Sequence, residues 1–144
     1  MEAMFQKLAL VKNGFKPIEK VAQKIVESHS LSKARQVALH FCGNNIYQVR
    51  CCAIFILGYI ASKNNQVLEV MKDQAKLDPS WQVQEIIAKA FDQYCRDTGY
   101  EQALPTIKGW LNDENPNVCR AVTEGLRIWT SRPFLKLNPK PRYN

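Results

Sequence analysis

Written as apolar and polar positions, the chain repeats one figure three times. Set "NNIYQVRCCAIFIL" (44–57), "DPSWQVQEIIAKAF" (78–91) and "DENPNVCRAVTEGL" (113–126) one under another. Asn44, Asp78 and Asp113 fall in one column, then Val49, Val83 and Val118, then Leu57, Phe91 and Leu126, at offsets of 34 and 35 residues. Asp or Asn is a natural helix-start residue. The Val and the Leu or Phe eight positions later mark a buried stripe at helical period. An amphipathic segment precedes each of these helices, over roughly 30–42, 66–77 and 100–112, and one or two helices occupy about 2–28. No stretch alternates for long like a strand. Pro17, Pro79, Pro105, Pro116, Pro133, Pro139 and Pro141 read as segment ends. Paired helices at this period predict an all-α fold, an α-helical solenoid in which each pair buries its stripe against its neighbours. The expected organisation is one domain over 1–144, with repeats at about 30–62, 66–97 and 100–130. Residues 131–144 read as a tail or as the approach to a further repeat.

The run Asp-x-x-x-x-Val-Arg near the start of the second helix survives here as "NIYQVR", "SWQVQ" and "NPNVCR". It resembles HEAT repeats, which implies a right-handed solenoid of HEAT-like helix pairs.

Helical geometry sorts the two later copies into faces. In the helix from 116, Val118, Val122, Gly125 and Trp129 fall within about 60° of one another, while Arg120, Thr123, Glu124 and Arg127 lie opposite. In the helix from 79, Val83, Ile87, Ala90, Phe91 and Tyr94 form the stripe, and Trp81, Glu85, Lys89 and Asp92 lie opposite. The first copy has Tyr47 level with Trp81, and Cys51, Phe55 and Gly58 level with Glu85, Lys89 and Asp92. Second helices of a solenoid line its concave side. The expectation is one surface carrying aromatics (Tyr47, Phe55, Trp81), carboxylates (Glu85, Asp92, Glu124) and cations (Lys89, Arg120, Arg127). The charges alone also read as ordinary i,i+4 surface pairs, Glu85–Lys89 and Arg120–Glu124. Trp81 does not fit that reading, because a Trp on a polar arc gains nothing from the core, although it also fits a contact to the preceding helix.

Composition narrows the partner. Net charge is +7 with a pI of about 9.3, which favours an anionic partner without choosing among nucleic acid, membrane and acidic protein. After Glu124 there is no acidic residue, while Arg127, Arg132, Lys136, Lys140 and Arg142 follow, either as a positive binding segment or as a solvated tail. The start "MEAMFQKLAL" lacks the long apolar run of a secretory signal, and "CCAIFILGYIA" is too short to span a membrane and reads as a buried helix. Cys42, Cys51, Cys52, Cys95 and Cys119 contain no CxxC pair, and His29 and His40 stand at no ligand spacing from them, so no metal is expected. An odd count with an adjacent pair suits buried thiols in a reducing cytoplasm. Aromatics and arginines on one face suit flat rings and phosphates, hence nucleic acid. Carboxylates on such a face repel phosphate and point to a cationic or electron-poor target.

"WQVQEIIAKAF" and "VCRAVTEGLRIWTSRPF" resemble the HEAT-like-repeat alkylpurine DNA glycosylases, the AlkC/AlkD-type DNA alkylation repair proteins, over roughly 30–138. The most specific part is Arg120, Glu124, Gly125, Arg127 and Trp129; Trp81 with Glu85 adds to it. The resemblance implies excision of cationic N-alkylated purines from duplex DNA without a cofactor. It implies that Trp81 stacks at the lesion, that Glu85 is the catalytic carboxylate, and that Glu124 is a further active-site position. It also implies that Arg120 holds backbone phosphate; Arg127, Tyr47, Lys89 and Arg132 complete the expected DNA-binding set. Trp129 matches an active-site position of one branch, yet the helical wheel places it in the buried stripe. One branch carries Asp where this chain has Glu85, and the other has Glu but lacks the Trp in this place. The family continues for further repeats after "TSRPF", so this chain is expected to be a shortened member. Two alternatives stand beside the enzyme: a DNA-binding relative without glycosylase activity, and a protein-binding helical-repeat scaffold.

Overall fold

A computed structural model of the chain describes the backbone of residues 1–130 and the side chains of residues 1–127. Trp129, Arg132 and the segment 131–144 therefore lie outside the described side chains. The described residues form eight helices and no strand: α1 (Glu2–Ala9), α2 (Lys16–Ser28), α3 (Leu31–Cys42), α4 (Tyr47–Ile60), α5 (Val67–Leu77), α6 (Trp81–Thr98), α7 (Tyr100–Leu111) and α8 (Pro116–Thr130). The architecture is a helical-repeat solenoid. Its inner layer is continuous, α4 along α6 and α6 along α8, and α2 packs on α4.

The repeat register has a concrete cause. Asn44, Asp78 and Asp113 each accept a hydrogen bond from the backbone N–H two residues on, at Ile46 (2.8 Å), Ser80 (3.0 Å) and Asn115 (2.9 Å). Each is a side-chain-closed turn, and each helix begins three residues past it, at Tyr47, Trp81 and Pro116. These residues thus bend the chain ahead of the helix and do not cap it directly. Asp78 does more. Its carboxylate, fully buried, takes Arg50 of the preceding repeat in a two-pronged pair of 2.8 and 3.2 Å. The same guanidinium donates to the carbonyls of Asn44 and Asn45 at 3.0 Å. At the next register position Gln84 ties down the Ala75 and Asp78 carbonyls (2.9 and 3.0 Å).

Pro105 departs from the expectation. It sits inside α7, where it removes one backbone donor and crowds the carbonyl of Glu101. Burial of Ala103, Ile107 and Trp110 on either side keeps the helix continuous.

The exposure of α4 is the larger correction. Cys51 and Phe55, expected on the open face, are buried at 0% and 6% exposure. Ile18, Ala22 and Ile25 of α2 are buried, and α2 lies on α4 as a lid, so the first repeat has no open inner face. Asp92, also expected there, is buried at 4%. Close helix approach contributes: a Cβ at Gly58 would stand 2.7 Å from the Ala90 Cβ, and one at Gly125 would stand 3.0 Å from the Ala88 carbonyl oxygen. Glycine at these two positions lets α4, α6 and α8 touch backbone to backbone.

Candidate nucleic-acid interface

Between α6 and α8 lies a cleft of about 430 Å³. Its floor is Ala88 and Ala121, both buried; small side chains there leave room that larger ones would fill. From α6 come Trp81, Gln84, Glu85 and Lys89; from α8 come Asn117, Arg120, Glu124 and Arg127. The cleft thus brings together Trp81, Glu85, Lys89, Arg120, Glu124 and Arg127 from the sequence-derived set. Trp81, at the first position of α6, is 66% exposed although it is the largest side chain in the site. A single exposed apolar residue is ordinary on a protein surface; what distinguishes Trp81 is that it lines the cleft together with Glu85 and Arg120.

The charges do not pair as helical spacing suggests. Arg127 binds Glu124 one turn away, so Glu124 is not tied to Arg120. Lys89 turns to the ring of Phe15, with Nζ 5.4 Å from the centroid, and not to Glu85. Glu85 and Arg120 consequently face the cleft without an ion pair to any other described residue. A carboxylate and a guanidinium held apart on facing helices can each take a different part of one ligand.

Tyr47 does not reach the cleft. It is half-buried and packs against the hydrophobic core at the start of α4. Gln84 and Asn117 line the cleft and were not anticipated. Gln84 shares the repeat register of Arg50, and its side chain also ties down the Ala75 and Asp78 carbonyls. A second cavity of about 230 Å³ lies on the other side of Lys89, between α2, α4 and α6, lined by Glu19, Phe55, Tyr59, Lys89, Asp92 and Arg96 among others. There the Tyr59 hydroxyl donates to Glu19 at 2.6 Å and accepts from Gln23 at 3.0 Å. Burial, and then the Glu19 hydrogen bond, push the Tyr59 phenol up to about 12.

The five cysteines are free thiols. Burial pushes Cys51, Cys52 and Cys95 up to about 12, and Cys42 to about 11. Cys51, Cys52 and Cys95 are inert packing groups at neutral pH. Among the described residues no group of three or more His, Cys, Asp or Glu is placed to hold a metal ion. No helix among them is long and apolar enough to cross a membrane.

The fold and cleft define a class: a helical-repeat protein whose inner layer carries one aromatic, acidic and basic cleft. No protein-family model and no curated protein matches the chain. Two solved structures do. One is AlkD2 from Streptococcus mutans, 40% identical, covering 96% of this chain and 66% of that one, with a TM-score of 0.88. The other is smu.31 from Streptococcus mutans UA159, also 40% identical, covering 94% and 68%, with a TM-score of 0.79. This chain spans about two thirds of the length of each. The chain belongs to the AlkD-type family.

Proposed function

We propose that the α6–α8 cleft receives a cationic N-alkylated purine in duplex DNA. On this reading the protein is a DNA N-glycosylase acting on lesions of the 3-methyladenine or 7-methylguanine type. The observation that carries it is Trp81, two-thirds exposed and beside the cleft-facing Glu85 and Arg120. Membership of the AlkD-type family supports it.

The chemistry follows from the lesion. A cationic purine leaves as a neutral base with the electron pair of the glycosidic bond, so it needs no acid to protonate it. The sugar becomes an oxocarbenium ion, and water adds to it. A carboxylate beside the sugar stabilises that cation and takes the water's proton; such positioned groups commonly contribute about 10²–10⁴-fold. Glu85 fills this role, one helical turn from Trp81. The indole face against a cationic base contributes roughly 0.5–2 kcal/mol and favours the alkylated base over the neutral one. Arg120, across the cleft, binds a backbone phosphate through its planar fork. No step calls for a cofactor or a metal.

The test is release of 7-methylguanine from duplex DNA under single-turnover conditions. Release well above the spontaneous rate is expected; none at saturating protein removes the enzyme reading. One observation favours a second reading, DNA binding without excision: Glu124 is already neutralised by Arg127, which withdraws one of the two cleft carboxylates from a sugar cation. A binding titration on the same DNA separates the two, since that reading expects salt-sensitive binding and no base release.

A further inference from the structure

Beyond the cleft, we infer that α2 is a second phosphate-binding element, in which Lys16, Lys20 and Lys24 engage the backbone of one DNA strand alongside the lesion cleft. This rests on the DNA-binding part of the proposed function and extends its footprint to a helix outside the cleft.

Three observations carry it. The first is periodicity. Lys16, Lys20 and Lys24 recur every four residues on α2, so they rise along one face in steps of about 6 Å. All three are exposed, whereas Ile18, Ala22 and Ile25 on the opposite arc are buried against α4. The second is position. Cys51, Phe55 and Gly58 of α4 hold the register that Glu85, Lys89 and Asp92 hold on α6. Phe55 and Gly58 lie under α2, lining the second cavity with Glu19. The lid therefore covers the part of α4 that continues the cleft side of α6, and its outward face takes over that side. The third is continuity. Phe15, just ahead of Lys16, carries the Lys89 ammonium over its ring, and Lys89 lines the cleft itself. A row of cations thus runs from Arg120 through Lys89 to the α2 lysines.

The acids of α2 do not cancel the row. Glu19 keeps its charge but lies off the lysine arc, turned to the Tyr59 hydroxyl, and Glu27 falls on the arc one turn past Lys24, so three cations stand there against one carboxylate. No lysine of the row makes an ion pair with another described residue. Three ammonium groups on long flexible stems, with a buried apolar face behind them, suit phosphates, which need charge and no fixed geometry.

The experiment compares the full chain with the triple variant K16Q/K20Q/K24Q in a duplex-DNA titration at several salt concentrations. A second triple variant, K33Q/K63Q/K108Q, removes the same charge from exposed lysines on α3, the α4–α5 turn and α7. The α2 variant is expected to bind about tenfold or more weakly at moderate salt. The slope of log affinity against log salt should fall by about 2–3, near 0.9 for each phosphate no longer neutralised. The other variant should weaken much less, and both should melt as the parent does. Equal weakening in the two variants would assign the effect to net charge and overturn the inference. So would an unchanged slope in the α2 variant, with the cleft reading left standing. A parent that shows no salt-sensitive duplex binding removes both.

Discussion

Two inner faces with the same repeat register meet opposite fates. On α6 the positions at 81, 85 and 89 are open to solvent, and they hold Trp, Glu and Lys. On α4 the corresponding positions at 47, 51 and 55 hold Tyr, Cys and Phe; the first is half-buried and the other two are buried. The reason is a neighbour. α2 folds back over α4 and contributes Ile18, Ala22 and Ile25 to a shared core, and nothing described lies in the same way over α6 and α8. A repeat places side chains in register, but exposure depends on what the rest of the chain does with that face.

The contrast breaks most visibly in stability. Phe55→Ala should cost about 3–5 kcal/mol in urea unfolding, because it empties a buried aromatic site under the lid. A loss below about 1 kcal/mol, as expected at surface sites, would mean that α2 does not seal α4 in solution.

The buried thiols sharpen the same point through pH. Folded Cys51, Cys52 and Cys95 titrate near 12, above the ordinary value of 9.0. A raised folded pKa means that the folded state holds its protons longer than the unfolded state. Stability is therefore fully present below about pH 9 and falls as pH rises from 9 towards 12. At pH 10 the loss should be about 1–2 kcal/mol per thiol, roughly 4 kcal/mol together. Urea midpoints at pH 8 and pH 10 measure it, and rapid alkylation at pH 8 of Cys51, Cys52 or Cys95, located by peptide mapping of the folded protein, would contradict it.

On the open side the effects should move from stability to function. Glu85→Gln keeps size and hydrogen bonding and removes the charge. Base release should fall by about a hundredfold, near 2.7 kcal/mol in the barrier, while DNA affinity stays level or rises. A Gln variant that excises at the parental rate would shift the catalytic role to Glu124. Arg120→Ala should weaken duplex binding by about five- to tenfold, roughly 1 kcal/mol, with an unchanged melting temperature. A large drop in melting would show Arg120 to be structural. The smallest effect is the cleanest partner to Phe55: Lys89→Ala, at the same register on α6, should change unfolding free energy by no more than about 0.5 kcal/mol.

Much of the candidate site was legible because α6 and α8 are regular helices whose spacing alone puts Trp81 beside Glu85 and Arg120 beside Glu124. The 34- and 35-residue offsets then bring the two pairs to one cleft. Pairing was less legible. Arg120–Glu124 and Glu85–Lys89 are the expected i,i+4 partners, yet Glu124 chose Arg127 and Lys89 chose the ring of Phe15. Surface ion pairs are worth a few tenths of a kcal/mol, so a nearby alternative is enough to redirect them. Phe15 is distant in sequence and gave no periodic signal.

The sequence by itself determined the helices, their pairing into repeats, and the stripe that each buries, because those follow from local propensity and a 3.6-residue period repeated at a constant interval. It also determined that Trp81 and Glu85 share a face. Only the tertiary structure decided which inner face stays open. That choice depends on α2 crossing α4, on Gly58 and Gly125 admitting close backbone contact, and on Arg50 reaching Asp78 in the next repeat. These are long-range events whose energy comes from shared burial. The all-round apolar run of α4 shows that it is buried, but no pattern within it names α2 as its cover.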